Sequence, residues 1–520
     1  MPTRFAVVSV LILSAAGAAL AAGDDPLSAI DWLSESVTAP AVIPSSVAIG
    51  PVVDEPPVTG DGGALPADVA TTPLDGPSPD AVGLIAPAVS GLPRKLWGAG
   101  RTEEIAAAIT RDRMDSLPAL RQLFLIVLLA EAVPPADAGT AGRLLQVRID
   151  KLMQLGALEQ ADALLDIAGT STPDLFRRGF DIALLTGDED RACETMLSAP
   201  GLAPTFQARI FCLARSGDWD AAALTLQTAH ALGQISEAQA DLFARFLEPD
   251  LFEGETLIPP PNPVTPLDWK IYEAIGETLP TASLPVAFAY AEIGQTAGWK
   301  AQIEAAERLT RAGTIAPNVI LGLYTERDAA ASGGVWDRVD AFQDFDSALR
   351  VRDADRIAQT LPIIWARMQD VELEVPFAFL YGKALADVPL TGEAAAIAFR
   401  VGMLSPAYES IAAAHTPADP TEVFLIGLAT GRIKGIVPPG SMARAIAPAF
   451  LSPAPSIDTR RLLEADRFGE ALLAAIEEIA RGVEGNLDGV TQGLSLLRTV
   501  RLETVARRTA LELMILERRG

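Results

Sequence analysis

The chain has 520 residues but only two cysteines, Cys193 and Cys212, and two histidines, His230 and His415. Such a set, without motif spacing, argues against a structural or catalytic zinc site. No other metal or cofactor is expected. No Lys or Arg occurs between Arg4 and Arg94, and the formal net charge is −26. That balance argues against nucleic acid, whose phosphates need basic side chains, and against anionic lipid surfaces. Aromatic residues make up 6%, which suits helices better than sheet. A Gly-rich phosphate loop with its Lys, a nucleophile elbow and a Rossmann fingerprint are all missing. The apolar run Leu123 to Leu129 is too short to span a bilayer and predicts a buried helix.

Apolar residues are nonetheless 49% of the chain, with mean hydropathy +0.27, and alanine supplies much of it. Alanine is the best helix former, so the body is expected to be all-α. The chain opens with Arg4, an apolar stretch from Phe5 to Leu20, and the small-x-small sequence Ala19-Leu20-Ala21. Residues 1–21 therefore read as a secretory signal, with an uncleaved anchor as the alternative. Export to a bacterial periplasm is the expected localisation. No Cys lies near the cut, so no lipoprotein is expected. Residues 22–37 form a short segment with Ile30, Trp32 and Leu33 as apolar islands. They read either as a recognition motif for a partner or as a short helix packed on its own domain. Residues 38–93 are rich in Pro, Ala, Val and Gly, with recurring acids, and predict a disordered acidic linker. Trp97 is the expected packing anchor where the folded body begins. The body divides into helical blocks at 94–257 and 267–520, joined by the Pro-rich connector 258–266, which no helix survives.

Within the first block one pattern is written three times. The chain reads Gly156-Ala-Leu-Glu-Gln-Ala161, then Gly187-Asp-Glu-Asp-Arg-Ala192, then Gly217-Asp-Trp-Asp-Ala-Ala222. Each is followed at the same offsets by a large residue and an alanine: Leu165 and Ala168, Met196 and Ala199, Leu226 and Ala229. Upstream, Gln146, Arg148, Ile149 and Leu152 align with Gln207, Arg209, Ile210 and Leu213. Each unit predicts a helix, a tight turn at Gly with positive φ, and a second helix. A lone hairpin cannot bury its apolar face, so the units must stack. The period of about 30 residues is that of helical repeats. Gly, a bulky residue two positions on (Leu158, Trp219) and the alanine-large-alanine run resemble the tetratricopeptide family. Ile149, Phe180 and Ile210 depart from it, standing where that family has a small residue. The resemblance implies a degenerate tetratricopeptide-like α-solenoid that binds a peptide or protein and catalyses nothing. The overall layout is also similar to uncharacterised exported proteins of proteobacteria, which carry no assigned activity.

An even cysteine count in an oxidising compartment suggests a disulfide. Cys193 and Cys212 fall on helices expected to be antiparallel, with the turn at Pro200 to Pro204 midway. The alternative is two small buried hydrophobes. His230 shares a predicted face with Trp219 and Leu226, as a core or groove residue. The last helix, Leu502 to Arg518, predicts a solvated basic cap with Arg507, Arg508, Arg518 and Arg519; a docking site for acidic linker residues is the other reading. Glu409-Ser410 resembles the Glu-Ser pair of lytic transglycosylases, with Glu409 as general acid. The following segment does not match theirs, and an exposed helical carboxylate is the competing reading. The chain is thus expected to be a protein-binding scaffold of the cell envelope, with a cell-wall-active enzyme as the alternative.

Overall fold

The computed structural model describes residues 78–111, 117–256, 259–294 and 297–516. Among them the chain is all-helical, with 25 α-helices and five short 3-10 turns. A single backbone bridge, Ile85 to Ala130, is the one strand-like pairing among these residues. Helices adjacent in sequence pack against each other in pairs. None of the described helices is long and apolar enough to cross a membrane.

The repeated pattern forms three hairpins. Helix Arg143–Leu155 turns at Gly156 into Leu158–Ala168. Pro173–Thr186 turns at Gly187 into Glu189–Ser198, and Phe206–Arg215 turns at Gly217 into Trp219–Ala231. The three glycines take φ of 77°, 90° and 86°, where a Cβ would be strained. Thr172, Thr205 and Asp218 cap the following helices by accepting from the amides of Leu175, Ala208 and Ala221. Ile149, Phe180 and Ile210 are fully buried between the helices. Phe176, Phe180 and Phe211 run through the second and third hairpins to Phe246 of the following helix, Glu237–Leu247, with successive ring centroids 6.3, 6.4 and 5.9 Å apart. Burial of each such ring is worth roughly 1.5–3 kcal/mol, enough to hold neighbouring hairpins together.

The packing differs from the expected division in four places. First, residues 78–93 do not belong to a linker. Leu84, Ile85 and Leu92 are in the core, and Asp80 is buried with its carboxylate accepting from the Leu145 amide at 2.7 Å. The buried Arg148 donates to the carbonyls of Val82, Leu128 and Ala130, clamping this strap to the body. Proline-rich composition alone missed it, because the strap's polar backbone is satisfied by a side chain far along the chain.

Second, the connector does not separate two cores. A cluster from Phe176 to Tyr272 straddles it, and helix Pro266–Ala274 packs back on Pro173–Thr186. The main core gathers Leu84 at one end of the chain and Leu516 at the other. Prolines stop a helix; they do not stop the next one from sharing the same core.

Third, the last helix, Glu503–Ile515, is central rather than a solvated cap. It packs on helices Pro118–Leu129, Gly392–Leu404, Pro420–Thr430 and Leu487–Thr499. Ala506, Ala510 and Leu511 are fully buried, and the Glu512 carboxylate accepts from the Ala119 amide at 2.9 Å. Arg518 and Arg519 lie outside the described residues. Trp97 also joins the two ends. Its ring lies against Gly469, where a Cβ would come within 2.6 Å of it. Finally, Pro362, whose ring would be expected to break a helix, lies inside one that runs from Ala354 to Asp370.

Candidate functional site

The sequence-chosen residues fall in different places. Ile30, Trp32 and Leu33 lie outside the described residues. Cys193 and Cys212 are joined in a disulfide between helices Glu189–Ser198 and Phe206–Arg215. Both are buried, so the bond staples the second hairpin to the third from within. His230 is exposed rather than in a core or groove, because it sits one residue past the buried Ala229. Trp219 is 49% exposed and leans on Phe246 at 6.1 Å. His415 stacks on Phe399 at 3.9 Å and meets the Glu422 carboxylate at 2.9 Å.

Glu409 is an exposed carboxylate, with 59% of its side chain accessible. It pairs with Arg507 at 3.1 Å and accepts from the Tyr408 hydroxyl at 3.1 Å. Burial, with the negative charge of Glu409, pushes the Tyr408 hydroxyl up to about 12, so it stays a donor at neutral pH.

A better-formed site lies where the two ends and the middle of the chain meet. Helix Pro118–Leu129 forms one wall with Leu125 and Ile126. The end of helix Trp299–Ala312 and the turn to Pro317–Thr325 form another. Val375 and Phe379 of helix Glu374–Ala386 make the third, and Arg508 of the last helix closes the ring. The cleft they enclose has a volume of about 280 Å³. That is at the lower edge of small-molecule sites, and room for a few anchoring side chains. Phe379 stands at its rim, 40% exposed.

The cleft's charge runs opposite to the rest of the molecule. Arg121, Arg311 and Arg508 line it, with Glu372 as the one acid. Arg121 donates to the Arg311 carbonyl and so braces the wall. Arg311 donates to the Val371 carbonyl at 3.0 Å, and Arg508 reaches the Gln122 amide oxygen at 3.4 Å. Neither Arg311 nor Arg508 forms an ion pair among the described residues. Two buried polar atoms at the cleft, the Thr310 hydroxyl and the Gln160 carbonyl oxygen, have no hydrogen-bond partner among the described residues. Apolar walls beside Arg311 and Arg508, with unmet polar groups, are features common to binding pockets.

A larger groove, about 600 Å³, runs between helices Thr102–Arg111 and Phe468–Val483. Its Arg467 is already neutralised by Glu104 and Glu470, so it offers a ligand less. The cleft was hidden from sequence reasoning because its residues, from Ile85 to Arg508, come from opposite ends of the described residues. Of its charged residues the sequence marks only Arg508, as part of a solvated cap or, in the other reading, as a docking site for acidic linker residues.

Compared with known protein families, with curated proteins and with solved structures, the chain finds no match.

Proposed function

We propose that this protein is an exported scaffold of the cell envelope that binds a protein or peptide partner and carries out no chemistry of its own. In this proposal the hairpins from Arg143 to Ala231 are a tetratricopeptide-like solenoid stretch, and residues 1–21 direct export to the periplasm. The observation that carries the binding function is the cleft between Leu125, Phe379 and Arg508. It pairs apolar walls with two arginines, Arg311 and Arg508, that form no ion pair among the described residues. An extended peptide with apolar anchors and acidic flanks matches that chemistry. A bridging role is further supported by the half-exposed aromatic surface at Trp219, some distance along the chain.

The competing proposal is a cell-wall hydrolase acting through Glu409. Glu409 is exposed and held in an ion pair with Arg507, which favours the binding function.

A photoreactive amino acid at Phe379 of the full chain tests the proposal in an envelope extract. The expected result is one crosslinked partner, identified by mass spectrometry. It should be lost on Arg508→Glu. Crosslinks that ignore Arg508 would remove the cleft as the binding surface. Release of soluble muropeptides from peptidoglycan, abolished by Glu409→Gln, would establish the hydrolase instead. Export is checked by the mass of the secreted chain, expected to begin at Ala22.

A further inference from the structure

The cleft is apolar, cationic and open, in a chain whose N-terminal lead is acidic and carries its own apolar anchors. Between Asp24 and Val37 stand the acids Asp24, Asp25, Asp31 and Glu35, interleaved with Leu27, Ile30, Trp32 and Leu33, and no Lys or Arg. We infer that this segment of the same chain seats Ile30, Trp32 and Leu33 in the cleft, with its acids beside Arg311 and Arg508. The inference rests on the cleft being a binding surface, as proposed above, and names its resident occupant.

Three observations favour this occupant. The first is charge: the cleft offers two arginines without ion pairs in a molecule of net charge −26, and the segment supplies only acids. The second is attachment. Ile85, seven residues after the first described residue Ser78, is itself a wall of the cleft. The lead therefore joins the body close to the place it would occupy.

The third is reach. About 40 residues separate Val37 from Ser78, and a chain of that length can span at most roughly 130 Å, ample to bring the segment to the cleft. Tethering at such a length gives a local concentration on the order of millimolar. A weak peptide contact is then enough to keep the cleft filled. The segment would act as an internal competitor that any partner has to displace.

The test uses a fluorescent peptide of residues 24–37 and three full-length chains. In the first the segment is intact. In the second it is disabled by Trp32→Ser with Leu33→Ser. The third adds Phe379→Asp to the second. The expected result is binding to the second chain that is at least about tenfold tighter than to the first, because the tethered segment no longer competes. Binding should vanish in the third. Phe379 is a rim residue, so its substitution leaves the fold intact; helical circular dichroism checks this. Arg508→Lys in the second chain should retain binding and Arg508→Glu should lose it.

Equal binding to the first two chains would overturn the inference, as would no binding to the second. Binding that survives Phe379→Asp would place the contact elsewhere and overturn it too. A dimer that dissociates on Trp32→Ser with Leu33→Ser would assign the segment to a second copy, also against a seat in the same chain. If the peptide fails while the Phe379 photoprobe still captures an Arg508-dependent partner, the cleft stands as a binding surface and only its resident occupant is wrong.

Discussion

Arg148 holds three backbone carbonyls from two separate stretches of chain with one buried guanidinium. Burial lowers its pKa to about 10, against the upward pull of Asp80, and it remains charged at neutral pH. Arg148→Met should leave those carbonyls unmet and lower stability by about 3 kcal/mol or more, read in a denaturation curve. Hydrogen exchange at residues 82–85 should rise in the same variant. The aligned Arg209 is exposed, so the same letter in the same repeat position does no such work there.

Asp181 behaves in the opposite sense. Burial pushes its carboxyl up to about 6, although Arg177 and Arg178 pull it down. The folded state therefore holds a proton that the unfolded chain releases between pH 3.8 and about 6. Its contribution to stability grows as pH falls through 6 and is complete below 3.8. Asp181→Asn should raise the melting temperature at pH 7, with the gain shrinking toward pH 4. An equal gain at both pH values would refute the assignment.

At the scale of elements, the hairpins show what local sequence can specify. Glycine at 156, 187 and 217 meets a steric demand, and Thr172, Thr205 and Asp218 meet a hydrogen-bonding one at three of the helix starts. Both demands are local, and the glycine turns were legible in the repeat. The disulfide needed one further step, the antiparallel placement of two neighbouring helices. It closes a separation of 19 residues. Cys193→Ser with Cys212→Ser should cost roughly 3 kcal/mol by the chain-entropy account, and reducing agent should lower the melting temperature of the native chain alike. Exposure was less legible. His230 and Trp219 lie near the predicted stripe, but helix Glu237–Leu247 covers only part of that face.

For the whole molecule, the decisive contacts join residues hundreds of positions apart. Trp97 lies on Gly469, the Leu96 carbonyl accepts from the Gly469 amide at 2.7 Å, and Glu512 caps helix Pro118–Leu129. Gly469→Ala gains helix propensity yet puts a methyl group into the Trp97 ring. It should destabilise the protein by about 1–3 kcal/mol in thermal denaturation. A neutral or stabilising result would mean the two ends are less tightly joined than this contact implies.

By itself the sequence determined the all-helical class and the hairpin turns, and it suggested the cysteine pairing. Each follows from propensity, spacing or a φ requirement that acts over a few residues. Only the tertiary structure decided that 78–93 belongs to the body, that the last helix is central, and that Arg121, Arg311, Arg508 and Phe379 share one cleft. Those outcomes depend on which apolar faces find each other once the ends of the chain meet. A charge on a helix carries no local mark of whether it will face water or line a cleft.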